Sequence, residues 1–352
     1  MDYKTLHGGG SLAASSRSTP GRNLAESARN LRAVLPDEAS EALARVEDLL
    51  VEVAGRAPEE LVEPALEALT AGGKRLRPIL LILSAGMGEP ERSGLLTAAT
   101  AVEVLHAATL IHDDVVDKAE SRRGKPTTVA RYGRETAVAT GDYLFAETFY
   151  GLAQVGDPRL VRAFAEAAMG LAAGELEQFR SSRGPVEVEA YLEHIRMKTA
   201  GLFRAACVAG GTLGGLSLRQ IDALATYGQA LGLAFQMSDD VMDLVGKPGL
   251  MGKGVGSDLA EGTVTLPVIF ALKEGDEVTA GVIRRVLEIP NPAPELLEAG
   301  IEAVLATDAI NKTEVWALGK VEAAIEGLGL LPDGAERTIL EAIASEVVGR
   351  DA

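Results

Sequence analysis

Residues 101–117 read AVEVLHAATLIHDDVVD, and residues 229–243 read QALGLAFQMSDDVMD. Each is a long apolar run that ends in Asp-Asp-x-x-Asp: Asp113, Asp114 and Asp117 in the first, Asp239, Asp240 and Asp243 in the second. Neither run alternates apolar and polar residues as a half-buried strand would, and both fit helices. On a helix, positions three and four apart share a face, so both leading aspartates of each copy project near the last. Like charges stacked this way cost roughly 0.2–0.5 kcal/mol per pair even on an exposed helix. Beside apolar surface the cost rises, because ions lose their water. Two such clusters call for a cation. All-oxygen ligands suit a hard ion, and Mg²⁺ held by a few carboxylates keeps places open for substrate phosphates.

The same helical pattern extends outward from both runs. Pro36-Asp37 opens a helix through LARVEDLLVEVAG, and Pro58 opens another that stops at Gly72-Gly73. The first acidic run belongs to one long helix from about Pro90 to Asp117, followed by a polar loop, SRRGKPT. ETAVATGDYLFAETFYGLAQVG is the next helix, and Asp157-Pro158 starts another through GELEQFR. VEVEAYLEHIRMKTAGLFRAACVAGG reads as a single helix, LRQIDALATYGQALGLAFQMSDDVMDLVG as one carrying the second motif, and GKPGLMGKGVGSDLAEG as a Gly-rich loop. No alternating strands joined by hairpin turns intervene. The expectation is one all-α domain over residues 24–352, with about ten or more helices. Residues 1–23 (MDYKTLHGGGSLAASSRSTPGRN) read as a flexible tail or leader, without the charged-then-apolar order of a signal peptide.

Composition narrows the function classes. Aromatic residues are only 4% of the chain against 47% apolar, a mix that suits helix packing better than a β-sandwich. The net charge of −17 argues against a general nucleic-acid binder, which needs a basic surface. A single cysteine, Cys207 in apolar FRAACVAGG, excludes an internal disulfide and reads as a buried structural thiol. A reducing cytoplasm is the expected location. No stretch reads as long and apolar enough to span a bilayer.

Against that acidic background the basic clusters carry information. GGKRLRP holds Lys74, Arg75 and Arg77 after two glycines that let backbone approach a ligand. Arg122 and Arg123, with Lys125 nearby, lie just beyond the first motif. Lys198-Thr199 falls in HIRMKTAGLF, and Lys253 in the loop after the second motif. Arginine offers a rigid fork for phosphate oxygens and lysine a point charge. Two anion sites are implied, one reached through cations on the aspartates and one lined directly by basic side chains. Two phosphorylated substrates meeting in an apolar cavity is the simplest reading.

The chain resembles the trans-isoprenyl diphosphate synthases, the polyprenyl synthetase family, of the long-chain type. The resemblance runs from about residue 40 to the C-terminus. It is carried by GGKRLRP, EVLHAATLIHDDVVD with RRGKPT, ATGDYL, GELEQ, MKTAGLF, FQMSDDVMD and GSDLAEGTVTLP, in the family's order. It implies an isoprenoid-synthase helical bundle around a central apolar cavity. Asp113, Asp114 and Asp117, with Asp239 and Asp240, would hold three Mg²⁺ ions on an allylic diphosphate, and Asp243 would complete the second motif from behind. Arg122, Lys198 and Lys253 would contact the allylic diphosphate. Lys74, Arg77 and Arg123 would hold isopentenyl diphosphate, helped by His106. Gln236 and Thr199 would border the reacting carbon, while His112 reads as a packing residue. Many relatives carry a lysine where this chain has Thr263, which removes one phosphate contact. The resemblance further implies a homodimer, no nucleic-acid partner, and transient membrane contact when product is released.

The implied reaction is ionisation of the allylic diphosphate followed by attack of the isopentenyl double bond. Product length would be set by residues just upstream of Asp113. Short-chain relatives often place a bulky aromatic at the position of Ala108 or Thr109, and here both are small. A helical turn rises about 5.4 Å, close to one isoprene unit, so an opened turn admits roughly one more unit. Leu105, Phe145 and Phe149 are candidate floors. The expected product is a long-chain all-trans polyprenyl diphosphate serving as a quinone side-chain precursor. The rivals are a geranylgeranyl or farnesyl synthase, a terpene cyclase, and a non-catalytic subunit of a two-chain synthase.

Overall fold

A computed structural model describes residues 31–122, 124–181, 187–246 and 255–348. The expected tail at 1–23 lies outside these residues, as do Arg123 and Lys253. The described chain is almost wholly helical: α1 (Asp37–Gly55), α2 (Glu59–Thr70), α3 (Leu76–Gly86) and α4 (Arg92–Asp117) precede a two-stranded ladder. In that ladder β1 (Ser121–Arg122) pairs antiparallel with β2 (Lys125–Pro126). Then come α5 (Thr128–Tyr132), α6 (Arg134–Val155), α7 (Pro158–Ser181), α8 (Val188–Ile195), a π turn (Arg196–Ala200), α9 (Gly201–Leu213) and α10 (Leu218–Val245). The chain closes with α11 (Ser257–Glu261), α12 (Leu266–Glu274), α13 (Glu277–Glu288), α14 (Pro294–Leu305), α15 (Ala309–Leu328) and α16 (Ala335–Val348).

Four sequence expectations need correction. The stretch read as one helix through HIRMKTAGLF contains the π turn, where an i→i+5 step inserts an extra residue. The SRRGKPT loop folds into the small ladder, and the Gly-rich loop ends in α11. The bilayer reading also fails as stated. α4 is long and apolar enough to cross a membrane, but 72% of its apolar window is buried inside the fold. It is a core helix, apolar nearly all round because neighbours cover most of it.

Local chemistry sets the ends of the two motif helices. Glu91 caps α4 by accepting from the Ser93 and Gly94 amides at 2.9 and 2.7 Å. Ser217 and Gln220 form a capping box that starts α10. Two apolar clusters fill the interior. The larger joins α1–α4, α6, α7, α9, α10, α15 and α16, and the smaller lies under α8 and α12–α15. α10 serves both: Leu224, Tyr227 and Leu231 face the first cluster, Leu233, Met237 and Leu244 the second. Each fully buried Leu contributes roughly 1.5–3 kcal/mol, so the second motif rides on a helix anchored in both cores.

Candidate active site

Both aspartate motifs sit at the C-terminal ends of their helices. α4 ends at Asp117, and α10 ends two residues after Asp243. A helix C-terminus carries partial negative charge, and neither helix has a basic residue in its last turn. Six carboxylates at two negative dipole ends are electrostatically unfavourable without cations. Asp113 registers this directly. Burial, helped by the charges of Glu175 and Asp117, pushes its carboxyl up to about 7 despite the opposing pull of Lys198 and Arg122. Asp114 is buried and accepts from Arg122 Nε at 2.8 Å. The ladder makes that contact possible: Lys118, left-handed at φ 53, turns the chain out of α4, and β1 brings Arg122 back against it. Asp117 is exposed at the mouth. His112 packs tightly against Gly141 of α6 and lies 3.3 Å from Asp142.

The second motif divides its labour. Asp240 is buried, with Tyr191 OH donating to it at 2.6 Å and Gln236 Nε2 at 2.9 Å. Burial pushes its carboxyl up to about 7. Asp243 accepts from the Ser257 amide and hydroxyl at 3.1 and 2.7 Å, and from the Asp258 amide at 3.1 Å. It thereby fixes α11, the first described element after the segment that holds Lys253. Asp239 is half-buried.

The π turn links the two motifs. Lys198 pairs with Glu175 of α7 at 2.5 Å, and its charge reaches Asp113. The next residue, Thr199, donates to Gln236 Oε1 at 2.7 Å, and Gln236 continues to Asp240. Adjacent residues of one short turn therefore serve opposite acidic clusters. Glycines make the approach possible: a Cβ on Gly174 would lie 3.3 Å from Lys198, and one on Gly232 only 2.6 Å from the Ala200 Cα. Sequence reasoning assigned no role to Glu175 or Tyr191. The signal for Glu175 was an acidic residue inside the apolar run LAAGELEQF; for Tyr191 there was none.

On the other side of the π turn stands GGKRLRP. The Arg77 guanidinium lies over the Phe203 ring at 4.6 Å, a cation–π geometry. Phe203 in turn meets Phe235 at 5.4 Å, the residue before Gln236. Lys74 and His106 are half-buried, and Arg75 is buried in ion pairs. Ala108 is fully buried and Thr109 half-buried, its hydroxyl donating to the His106 carbonyl at 2.8 Å. Leu105 is fully buried, while Phe145 and Phe149 form a tilted pair at 5.1 Å on α6. Thr263 donates its amide to the Asp258 carbonyl at 2.8 Å, just after α11.

Among the described residues no three His, Cys, Asp or Glu side chains converge tightly enough to cage an ion alone. The donor set nonetheless fits a hard divalent cation. It is all carboxylate, Asp113 is desolvated and short of compensating charge, and Mg²⁺ characteristically takes one or two carboxylates plus substrate phosphate oxygens. The arrangement gathers carboxylates at two helix ends, with Lys198 and Arg122 beside the first and Arg77 over Phe203.

Comparison with known proteins places the chain in a family. The profile of the Polyprenyl synthetase family matches residues 58–304. The chain is 36% identical over 315 residues to heptaprenyl diphosphate synthase component 2 of Geobacillus stearothermophilus, covering 89% of this chain and 97% of the relative. It is also 36% identical over 284 residues to octaprenyl diphosphate synthase of Escherichia coli, covering 80% of this chain and 88% of the relative. A crystal structure of polyprenyl synthase from Caulobacter crescentus, complexed with calcium and isoprenyl diphosphate, superposes with a TM-score of 0.86 at 32% identity, over 92% of this chain and 98% of that one. The chain belongs to the polyprenyl synthetase family and is a prenyltransferase with the all-α isoprenoid synthase fold.

Proposed function

We propose that the chain condenses isopentenyl diphosphate head-to-tail with an allylic diphosphate. Repetition gives an all-trans product of about C30–C50, each open helical turn along α4 admitting one more unit. The π turn carries this reading, because Lys198 and Thr199 connect both aspartate clusters through Asp113 and Asp240. Asp113, Asp114, Asp117, Asp239 and Asp240 would hold Mg²⁺, three ions in all. When bound, these cations neutralise the departing diphosphate as its negative charge develops. Lys198, released from Glu175, and Arg122, released from Asp114, meet the same charge. Lys74, Arg77 and His106 hold isopentenyl diphosphate with its double bond toward the allylic carbon. Thr199 and Gln236 border that carbon. The allylic cation is attacked by the double bond, and the proton leaves to the released diphosphate. Packed apolar helices keep water from quenching the cation. The calcium and isoprenyl diphosphate in the Caulobacter structure support the divalent site, and the relatives named for heptaprenyl and octaprenyl products support the length. We assign the product to quinone side-chain synthesis.

A homodimer is part of this proposal. Phe145 and Tyr150 on α6 and Met169 and Leu176 on the adjoining α7 are exposed apolar side chains of the kind an interface covers. A second reading, one chain of a two-component synthase, draws on the relative named component 2. One experiment separates the readings. Purified chain is incubated with Mg²⁺, isopentenyl diphosphate and each allylic primer, and product length is measured. Elongation by the chain alone supports the proposal. No elongation with any primer rejects it, and rescue by a partner subunit would favour the second reading. Asp113→Ala with Asp114→Ala should abolish turnover. Ala108→Phe should shorten the product, and an unchanged length distribution would remove Ala108 from the tunnel wall.

A further inference from the structure

Arg75 stands between two residues assigned to substrate, yet it faces the interior. Its Nε donates to Glu47 Oε1 at 3.1 Å and Oε2 at 3.3 Å, and Nη2 donates to Glu47 Oε2 at 2.9 Å. Nη2 also reaches the Leu69 carbonyl at 2.8 Å, and Nη1 donates to Glu103 Oε1 at 2.6 Å. The residue is 6% exposed. Glu47 lies on α1, Glu103 is itself buried on α4, and Leu69 lies near the end of α2. One guanidinium therefore ties the GGKRLRP turn to three helices. Arg32 balances the second glutamate, pairing with Glu47 at 2.9 Å.

The backbone is committed at the same point. Arg75 is left-handed at φ 51 and ψ 35, following Gly72 at φ 82 and Gly73 at φ 153. Side chains other than glycine avoid this region, so the ion pairs must hold it there. Buried ion pairs are poor sources of net stability and can often be replaced by apolar residues without loss. What this pair supplies is position. Lys74 and Arg77 flank the locked residue on its own turn. Glu103 is three residues before His106 on α4, so the two share a helix face.

We propose that Arg75 is a positioning residue for isopentenyl diphosphate, setting Lys74, Arg77 and His106 in register through Glu47 and Glu103. The inference rests on the substrate roles proposed above for those three residues. It makes a selective prediction, because the lock touches only the second anion position. Arg75→Lys keeps the charge and loses the planar fork. It should raise KM for isopentenyl diphosphate about tenfold, since misplacement of about 1 Å can cost a site up to ~10²-fold. KM for the allylic diphosphate should stay within about twofold, with kcat at saturation little changed, the signature of lost substrate binding.

Glu47→Gln is the milder variant, at a half-exposed side chain on α1, and should raise the isopentenyl KM about threefold with the same selectivity. Circular dichroism melts establish that each variant is folded. An unchanged isopentenyl KM in folded Arg75→Lys and Glu47→Gln overturns the proposal, as does an equal rise in both KM values. If Arg75→Lys fails to fold, Glu47→Gln decides alone. Lys74→Ala and Arg77→Ala serve as reference: should neither move the isopentenyl KM, the substrate assignment itself is wrong and the Arg75 result is read as structural.

Discussion

Asp239 and Asp243 lie one helical turn apart in the same motif, yet their surroundings give them different consequences. Asp243 accepts three hydrogen bonds from Ser257 and Asp258, whereas Asp239 is half-buried at the site. Asp243→Asn should cost about 1–2 kcal/mol of stability, because donors at the start of α11 lose a charged acceptor. Asp239→Asn should remove most activity, because one of the proposed cation-holding carboxylates is lost. Urea melts check the first variant and turnover assays the second; an Asp243→Asn chain as stable as wild type, or an Asp239→Asn chain at wild-type turnover, would refute the division. Glu47 supplies a pH test. Burial pushes its pKa up, but the hydrogen bond and charge of Arg75, with those of Arg32, outweigh burial and hold it below the usual 4.5. A depressed carboxylate contributes stability above its unfolded value and loses it as pH falls through the folded value. The stability gap between wild type and Glu47→Gln should therefore be constant near neutrality and shrink below about pH 4.5. A gap that widens in acid would contradict the assigned ion pair.

At the scale of elements, the π turn depends on what its neighbours lack. Gly170 and Gly174 of α7 lie on one side of it, and Gly232 of α10 on the other. A Cβ at Gly232 would meet the Ala200 Cα at 2.6 Å, a backbone atom that cannot swing aside. Gly232→Ala must therefore part α10 from the turn and stretch the Thr199–Gln236 bond. The expected cost is about 1–3 kcal/mol, and kcat should fall about 10²-fold, since the reacting groups would be misplaced. Gly319, in the middle of α15, has open space around its missing Cβ. Gly319→Ala should instead gain about 0.5–1 kcal/mol through helix propensity and a stiffer unfolded chain, with activity intact. Thermal melts and kcat on both variants decide the matter. A Gly232→Ala enzyme with wild-type kcat would show that the turn does not set catalytic geometry.

Across the whole molecule, what was legible in sequence followed from local chemistry. Pro36 and Pro58 marked helix starts, and apolar runs without alternation gave the all-α class. The two Asp-Asp-x-x-Asp copies announced a cation site because like charges on one helix face need an explanation wherever they occur. What was not legible depends on partners distant in sequence. Asp114 and Asp240 occupy the same position in their motifs, but Arg122 meets one, while Tyr191 and Gln236 meet the other. The π turn has no residue pattern of its own, and no periodicity reveals that Arg75 points inward. The exposed face of α6 and α7 belongs to the same class, since a single sequence does not reveal which apolar side chains the fold leaves uncovered. Tyr150 and Met169 are 60% and 65% exposed there. A stable interface buries about 800 Å² per partner around an apolar centre, and a charge placed at that centre is costly to bury unpaired. Tyr150→Glu with Met169→Glu should therefore convert a species of twice the 36.7 kDa chain mass into one at that mass. The melting temperature of the isolated chain should move little, because both side chains are solvent-facing. Light scattering on wild type and variant checks the mass. A wild type already at chain mass, or a double variant that remains at twice it, would remove α6 and α7 from any interface between copies.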